Sequence, residues 1–203
     1  MIYKKTYYYF KSALSHKLCD DIIKCGFSEN PNIALTGNRK PRNKIEHSHV
    51  MELRKSATSW ITDIWLKNEL KPYVDRANQN AGWNFNLTKP EPGQFTVYDE
   101  GQYYDWHVDS NYDVYKKGDD WNGLMRKLSV TVSLSDPLDY EGGNLEFAID
   151  GDEPGKNLFQ TCREIFTKGS IVVFPSYVWH RITPVTKGRR LSLVQWNMGP
   201  GYV

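Results

Sequence analysis

The spacing of apolar and polar residues changes period once along this chain, near residue 85. Before that point the apolar positions recur at helical spacing. Tyr7 to Phe10 reads as a short strand. Ser15 then offers an N-cap for a helix whose apolar stripe is Leu18, Ile22 and Cys25 and which ends at Gly26. A second helical stretch begins near Ser59, with Ile61, Ile64 and Trp65 in phase. Pro72 should break or kink it before it continues through Tyr73, Val74 and Ala77. Between the helices, a segment with Pro31, Gly37 and Pro41 carries Arg39, Lys40, Arg42 and Lys44, a composition suited to a mobile loop.

From Phe85 onward, short strands alternate with turns. Leu128, Val130, Val132 and Leu134 alternate with Ser129, Thr131, Ser133 and Ser135, the period-two pattern of a half-buried strand. Gly142-Gly143 precedes a strand from Leu145 to Ile149. Residues 171–174 form a short apolar run, and 190–196 close the series. Such runs predict a mainly β sandwich or jelly roll, with the N-terminal helices packed on the outside of one sheet. At 203 residues without repeats or linkers, one domain is expected. Residues 1–84 would give helical support and a substrate loop, and 85–203 the jelly-roll core.

Composition narrows the classes. Apolar content of 39% and aromatic content of 14% favour a folded globule over disorder. A formal charge of +2 supplies no field that would draw nucleic acid or a membrane surface. Cys19, Cys25 and Cys162 make no disulfide framework and no metal-type pair, which suits free thiols in a reducing compartment. The N-terminus lacks the apolar core of a signal peptide, and no apolar run reaches the ~18 residues of a membrane span. A soluble, cytoplasmic protein is the expectation.

The chemistry concentrates in the second half. His107 and Asp109, two residues apart, share a face if they lie on one strand. A lone His180 follows the 171–174 run, and Arg190 comes ten residues later. Two histidines and one carboxylate are the donor set of a non-haem Fe(II) oxygenase, which leaves adjacent positions open for a chelating 2-oxo acid and O2. Arg190, Ser192, Val194 and Trp196 share strand parity, and an inward arginine would need an anion such as the far carboxylate of 2-oxoglutarate. The opposite parity would turn Leu191 and Leu193 to the core and Arg190 outward. His47 and His49 have ligand-like spacing but no carboxylate placed to join them, so surface histidines are expected there. His16 should be solvated, and Gly118-Asp119-Asp120 a turn. No phosphate-binding glycine loop and no serine nucleophile elbow is present.

The strings FTVYDEGQYYDWHVDS, RKLSVTVSLSDPLDYEGGNLEF and FPSYVWHRITPVTKGRRLSLVQW resemble the 2-oxoglutarate- and Fe(II)-dependent oxygenases of the prolyl 4-hydroxylase branch, including compact bacterial forms. The resemblance is strong over about half the chain, Gln94 to Trp196. It implies a double-stranded β-helix, a cupin-like jelly roll. It also implies Fe(II) held by His107, Asp109 and His180, with 2-oxoglutarate and O2 as cosubstrates and ascorbate as an optional reductant. Tyr98 falls at the tyrosine that reaches the 2-oxoglutarate carboxylate. Arg190 takes the place of the basic anchor, where many eukaryotic and algal members carry Lys, and Ser192 completes that pocket. Tyr104, Arg126 and Trp196 fall where the branch holds the target proline. Ordinary core aromatics would account for Tyr104 and Trp196 equally from pattern alone. Arg126 shares parity with Leu128 and Val130, and Trp196 with Arg190.

Three functions fit this pattern. The first is 4-hydroxylation of prolyl residues in a peptide or protein, with the basic loop at 36–44 closing over the substrate. The second is hydroxylation of a free amino acid or other small molecule. The third is a non-catalytic jelly-roll binding module, which the intact His107, Asp109, His180 and Arg190 disfavour. Asp109 also argues against halogenation, which needs a small residue there so that halide can reach the metal. Near-neutral charge disfavours a nucleic-acid substrate. Oligomeric state is not legible.

Overall fold

The computed structural model describes residues 5–34, 53–110, 114–116, 120–149 and 158–202. In chain order these form β1 (Tyr8–Phe10), α1 (His16–Ser28), β2 (Asn32–Ile33), β3 (Arg54–Lys55), β4 (Ala57–Ile61) and α2 (Ile64–Asn80). There follow β5 (Lys89–Pro90), β6 (Gly93–Tyr98), β7 (Tyr103–His107), β8 (Leu124–Ser133), β9 (Tyr140–Gly142), β10 (Leu145–Ala148) and β11 (Phe159–Thr161). After a 3-10 turn at Arg163–Ile165 come β12 (Ile171–Pro175), β13 (His180–Ile182), β14 (Val185–Gly188) and β15 (Arg190–Pro200).

Two sheets carry the fold. The larger runs β1-β12-β8-β15-β6-β4-β2, with β5 paired to the far end of β15; the smaller runs β11-β10-β13-β7-β3. They face each other across an apolar layer in which Tyr98, Val172 and Phe174 of the larger sheet meet Leu145, Phe147 and Ile182 of the smaller. The opposite face of the larger sheet is covered by both helices, where Cys19, Ile22, Leu66, Leu70 and Val74 pack on Val130, Val132, Val173 and Leu193. This is the expected double-stranded β-helix with helices outside one sheet.

Covering both faces of the larger sheet changes how its strands read. On β8 the Leu128, Val130 and Val132 face lies under the helices, but Ser129, Thr131 and Ser133 are buried too, on the face toward the smaller sheet. The strand is therefore doubly buried, not half-buried, and its hydroxyl row lines the interior between sheets. On β15 the same holds. Leu193 sits in the helix-side core while Arg190 and Ser192 are buried on the other side, so both parities point inward.

The N-terminal third departs from the expected helix-then-helix layout. Ser15 caps α1 by accepting the Leu18 amide, but the helix runs through Gly26 to Ser28. Gly26 is a contact glycine: a Cβ there would lie 2.2 Å from the Phe95 ring, so the missing side chain lets α1 lie on β6. Residues 57–61 are a strand, and α2 begins only at Ile64 with Asp63 at the N-cap. Ala57 and Ile61 pack toward the helix-side core while Ser59 donates to the Gly26 carbonyl at 2.6 Å, a period of two that outweighs the helical phase of Ile61, Ile64 and Trp65. Pro72 does not end α2; its ring is on the exposed side, where the lost hydrogen bond faces water.

Residues 53–61 link the sheets. β3 pairs with β7 in the smaller sheet, and after Ser56 the chain enters the larger sheet as β4 beside β6. The Gly37–Lys44 loop, His47, His49 and Gly118-Asp119 lie outside the described residues. His16 is exposed, as expected, and the three cysteines are free. Among the described residues no helix is long and apolar enough to cross a membrane.

Candidate active site

β7 ends at His107 and β13 begins at His180, and antiparallel pairing sets these two residues opposite each other. Their rings stand 4.2 Å apart, centroid to centroid. Asp109 lies just past the end of β7, not on the strand. Its place is fixed by its own amide, which donates to the Ser176 carbonyl at 2.9 Å, and by the Ser129 hydroxyl, which donates to Oδ2 at 2.7 Å. The three side chains thus offer one ligand atom each, all within 4.8 Å of one another. Nε2 of His107 is 3.8 Å from Asp109 Oδ1, and Nε2 of His180 is 3.5 Å from Oδ2.

The hydrogen bonds behind these groups set their chemistry. His107 Nδ1 lies 2.7 Å from the Asp105 carbonyl and His180 Nδ1 lies 2.9 Å from that of Val178. A carbonyl only accepts, so each Nδ1 carries the proton and each Nε2 lone pair points into the cluster. Burial, reinforced by His180, holds the His107 pKa well below its ordinary value, so the ring stays neutral. Burial alone would raise Asp109. The neighbouring His180, His107 and Arg126 together with the Ser129 bond outweigh it and hold the carboxyl below the usual carboxylate range. Neutral imidazole and ionised carboxylate are the states a divalent metal requires. The donor set, the tautomers and the gap between the ligand atoms fit Fe(II).

Facing this cluster across the cavity is Arg190, only 3% exposed. It pairs in register with Tyr98, lies 5.4 Å from that ring's centroid, and donates to the Ser192 hydroxyl at 3.1 Å. Among the described residues it has no carboxylate partner. A buried guanidinium supported only by neutral groups could hold an anion.

The third wall is aromatic. Tyr104 stacks flat on His107, with centroids 3.5 Å apart and planes 10° from parallel. Burial raises the Tyr104 pKa to about 12, so the phenol is protonated. Trp196 lines the cavity, and its buried indole N–H has no partner among the described residues. Arg126 lies behind Trp196, 3.7 Å from the ring centroid, fixed by Glu91 through Nε and Nη2 at 2.7 and 2.8 Å. Its Nη1 lies 3.4 Å from the Asp109 carbonyl. Strand parity with Leu128 would have sent Arg126 to the helix side. The register between β8 and β15 slips at Lys127, where Leu128 pairs with Asn197 but Arg126 with Met198, and the slip brings Arg126 to the Trp196 face.

The cavity between the sheets encloses about 440 Å³ of space, open solvent at its mouth included. Of the sequence-predicted residues, Tyr98, Tyr104, His107, Asp109, His180, Arg190, Ser192 and Trp196 line it, while Arg126 stands behind Trp196. Among the lining residues that sequence reasoning did not assign to the site, three are polar: Arg54, Gln94 and Thr131. Gln94 shares parity with Tyr98 on β6, a signal that was available. For Arg54 the signal was an Arg-x-Ser triplet that repeats the Arg190-x-Ser192 spacing.

A fold of two facing sheets with a buried His-Asp-His cluster defines a class, and comparison with known proteins names it. Residues 93–198 match the family model of the 2OG-Fe(II) oxygenase superfamily, so the chain belongs to that superfamily, whose members use Fe(II), 2-oxoglutarate and O2. Among curated proteins, it is 32% identical over 125 residues to a PKHD-type hydroxylase of Idiomarina loihiensis, covering 61% of this chain and 50% of that one. It is 35% identical over 151 residues to a PKHD-type hydroxylase of Gloeothece citriformis, covering 71% and 55% respectively. The chain spans about half the length of the curated relatives it matches. Among solved structures, a viral collagen prolyl hydroxylase of Paramecium Bursaria Chlorella virus-1 has the same fold with a TM-score of 0.65 at 18% identity, over 96% of this chain and 97% of that one. A prolyl-4-hydroxylase of Pseudomonas putida gives 0.60 at 20% identity, over 98% and 94%.

Proposed function

We propose that this chain is a 2-oxoglutarate- and Fe(II)-dependent dioxygenase that hydroxylates prolyl residues, at the 4-position, in a peptide or protein. The observation that carries the oxygenase reading is the pair of Nδ1-anchored histidines with both Nε2 atoms turned onto Asp109. Fe(II) with 2-oxoglutarate and O2 would supply the oxidation of an unactivated carbon. The residues do the positioning. His107, Asp109 and His180 hold the metal, and Ser129 keeps the Asp109 carboxylate aimed at it. Arg190, with Ser192 and Tyr98 beside it, takes the far carboxylate of 2-oxoglutarate in a charge-assisted contact. The apolar floor of Leu145, Phe174 and Ile182 keeps water from the reacting centre.

Two features support a prolyl substrate. Tyr104 and Trp196 give the cavity aromatic lining suited to a pyrrolidine ring, and Trp196 brings an N–H donor without a partner among the described residues for the neighbouring carbonyl. Arg126 acts here through Trp196, pinning the indole between its guanidinium and the cavity. The relatives point the same way: two neighbours of this fold are prolyl hydroxylases, and a third, from Trichoplax adhaerens, is a prolyl hydroxylase in complex with a hypoxia inducible factor peptide. Ascorbate remains an expectation of the resemblance alone.

The test is succinate formation from 2-oxoglutarate with Fe(II), screened across proline-containing peptides and free amino acids, with mass detection of one added oxygen. Peptides should gain the oxygen on proline. Arg126→Ala should impair peptide hydroxylation while leaving Fe(II) and 2-oxoglutarate binding intact. Efficient oxidation of free amino acids with no product from a broad peptide set would replace this reading by that of a small-molecule hydroxylase.

A further inference from the structure

Arg54 is the second buried cation in the cavity wall, and neither metal nor 2-oxoglutarate has a use for it. It is 5% exposed and sits at the corner where the chain passes from the smaller sheet to the larger. Its Nε donates to the Ser56 hydroxyl at 2.8 Å and its Nη2 to Gln94 Oε1 at 3.0 Å, both neutral. Its guanidinium carbon lies 4.5 Å from the Tyr104 ring centroid, and that ring is itself stacked on His107. Among the described residues no carboxylate pairs with it. The contrast with the other arginines is direct, since Arg126 has Glu91, Arg181 has Glu146 and Arg189 has Asp99.

Only Arg190 shares the condition of Arg54 among the described cavity residues, and the two are built alike. Each is an arginine whose guanidinium donates to the hydroxyl of the serine two residues on, Ser56 in one case and Ser192 in the other. A charge count separates their roles. Fe(II) and Arg190 together bring three positive charges, and Asp109 and dianionic 2-oxoglutarate bring three negative ones. Arg126 and Glu91 cancel. Arg54 is left over. Arginine has five N–H donors, and the hydrogen bonds to Ser56 and Gln94 engage Nε and Nη2, so Nη1 remains for a ligand in the cavity it lines.

We propose that Arg54 and Ser56 form a second carboxylate site, used by the substrate. The prolyl substrate would therefore carry a carboxylate close to the ring that is oxidised, either its own main-chain carboxylate or an acidic side chain next to it. Arg54 touches the far face of the Tyr104 ring that stacks on His107, so a substrate anchored there presents its neighbouring carbons to the metal side of the cavity. This inference rests on the proposed prolyl activity for the substrate's identity, but not for the existence of the site.

The test uses calorimetric titration, without O2, of the Fe(II) and 2-oxoglutarate complex, in which Arg190 is already engaged. Three matched pairs are compared: N-acetylproline with N-acetylprolinamide, N-acetyl-Pro-Glu-amide with N-acetyl-Pro-Gln-amide, and benzoate with benzamide. At least one carboxylate should bind about ten- to a hundredfold more tightly than its neutral partner, as a charged hydrogen-bonded contact gives. The first pair reports a main-chain carboxylate and the second a side chain. Preference in the benzoate pair alone would keep the site and remove the prolyl reading. Arg54→Gln should erase the preference and Arg54→Lys should retain part of it. No carboxylate preference in the parent overturns the proposal, as does a preference that survives Arg54→Gln. Equal weakening of both members of a pair in Arg54→Gln also overturns it, because Arg54 would then merely prop Tyr104.

Discussion

At the scale of single residues, the hydrogen bonds behind the metal-binding groups matter as much as the groups. Ser129 holds the Asp109 carboxylate at 2.7 Å, and loss of such a support typically weakens metal binding roughly ten- to a hundredfold. Ser129→Ala should therefore weaken Fe(II) by that factor in anaerobic titration, and His180→Ala by more, since it removes a ligand outright. Parent-like iron affinity in His180→Ala would show that the cluster is not the metal site. Arg190→Ala should raise the 2-oxoglutarate requirement about ten- to a hundredfold with Fe(II) affinity unchanged. The pKa of His107 adds a pH dependence. Its folded-state value lies well below 6.5, so as pH falls through about 6.5 the unfolded chain binds a proton that the metal-free native protein does not. Stability of the metal-free protein should drop over that range, and His107→Gln should flatten the slope of urea midpoint against pH between about 7.5 and 5.5. Asp109 acts in a lower window: its folded value lies below 3.8, so its contribution is present above 3.8 and is lost only in stronger acid.

At the scale of elements, legibility tracked how far each strand's position depends on distant parts of the chain. The strands of the second half and the His107, Asp109, His180 and Arg190 set were readable because period two and fixed spacings are local signals. Residues 57–61 were not, because Ile61, Ile64 and Trp65 are in phase with a helix as well as with a strand next to a helix start. Pairing with β6 and the Ser59 contact to α1 decide between them, and both are tertiary. Arg126 was assigned to the right side of the sheet on a parity argument that fails, since only the slip at Lys127 brings it there. Arg54 was missed because the Arg-x-Ser spacing it shares with Arg190 does not encode what sets it apart, the lack of a carboxylate partner among the described residues. Gly26 was read as a helix end when its role is close approach. With the Phe95 ring 2.2 Å from the site of a Cβ, Gly26→Ala should destabilise by about 1–3 kcal/mol through overpacking. Chemical denaturation of the metal-free protein checks this, and the variant should bind Fe(II) like the parent because β6 carries none of the three ligands.

At the scale of the molecule, the site spans two sheets in an ordered way. His107 and His180 belong to β7 and β13 of the smaller sheet, whereas Arg190, Ser192 and Tyr98 belong to β15 and β6 of the larger. On the reading proposed above, Fe(II) alone ties together parts of the smaller sheet and the Asp109 turn, and 2-oxoglutarate then links that metal to Arg190 across the interior. A ligand that binds only the native state stabilises it in proportion to its occupancy, by about 2.7 kcal/mol at a hundredfold excess over Kd. How that stabilisation is distributed depends on which elements the ligand joins. Amide hydrogen exchange should therefore slow in β7 and β13 on adding Fe(II), and in β15 and β6 only after 2-oxoglutarate follows. In Arg190→Ala the first step should persist and the second should vanish even at 2-oxoglutarate concentrations that fill the site. If Fe(II) by itself protected both sheets equally, existing contacts between the sheets, such as that of Ser129 with Asp109, would suffice to carry the link. The cosubstrate would then have no part in joining the protein's two halves.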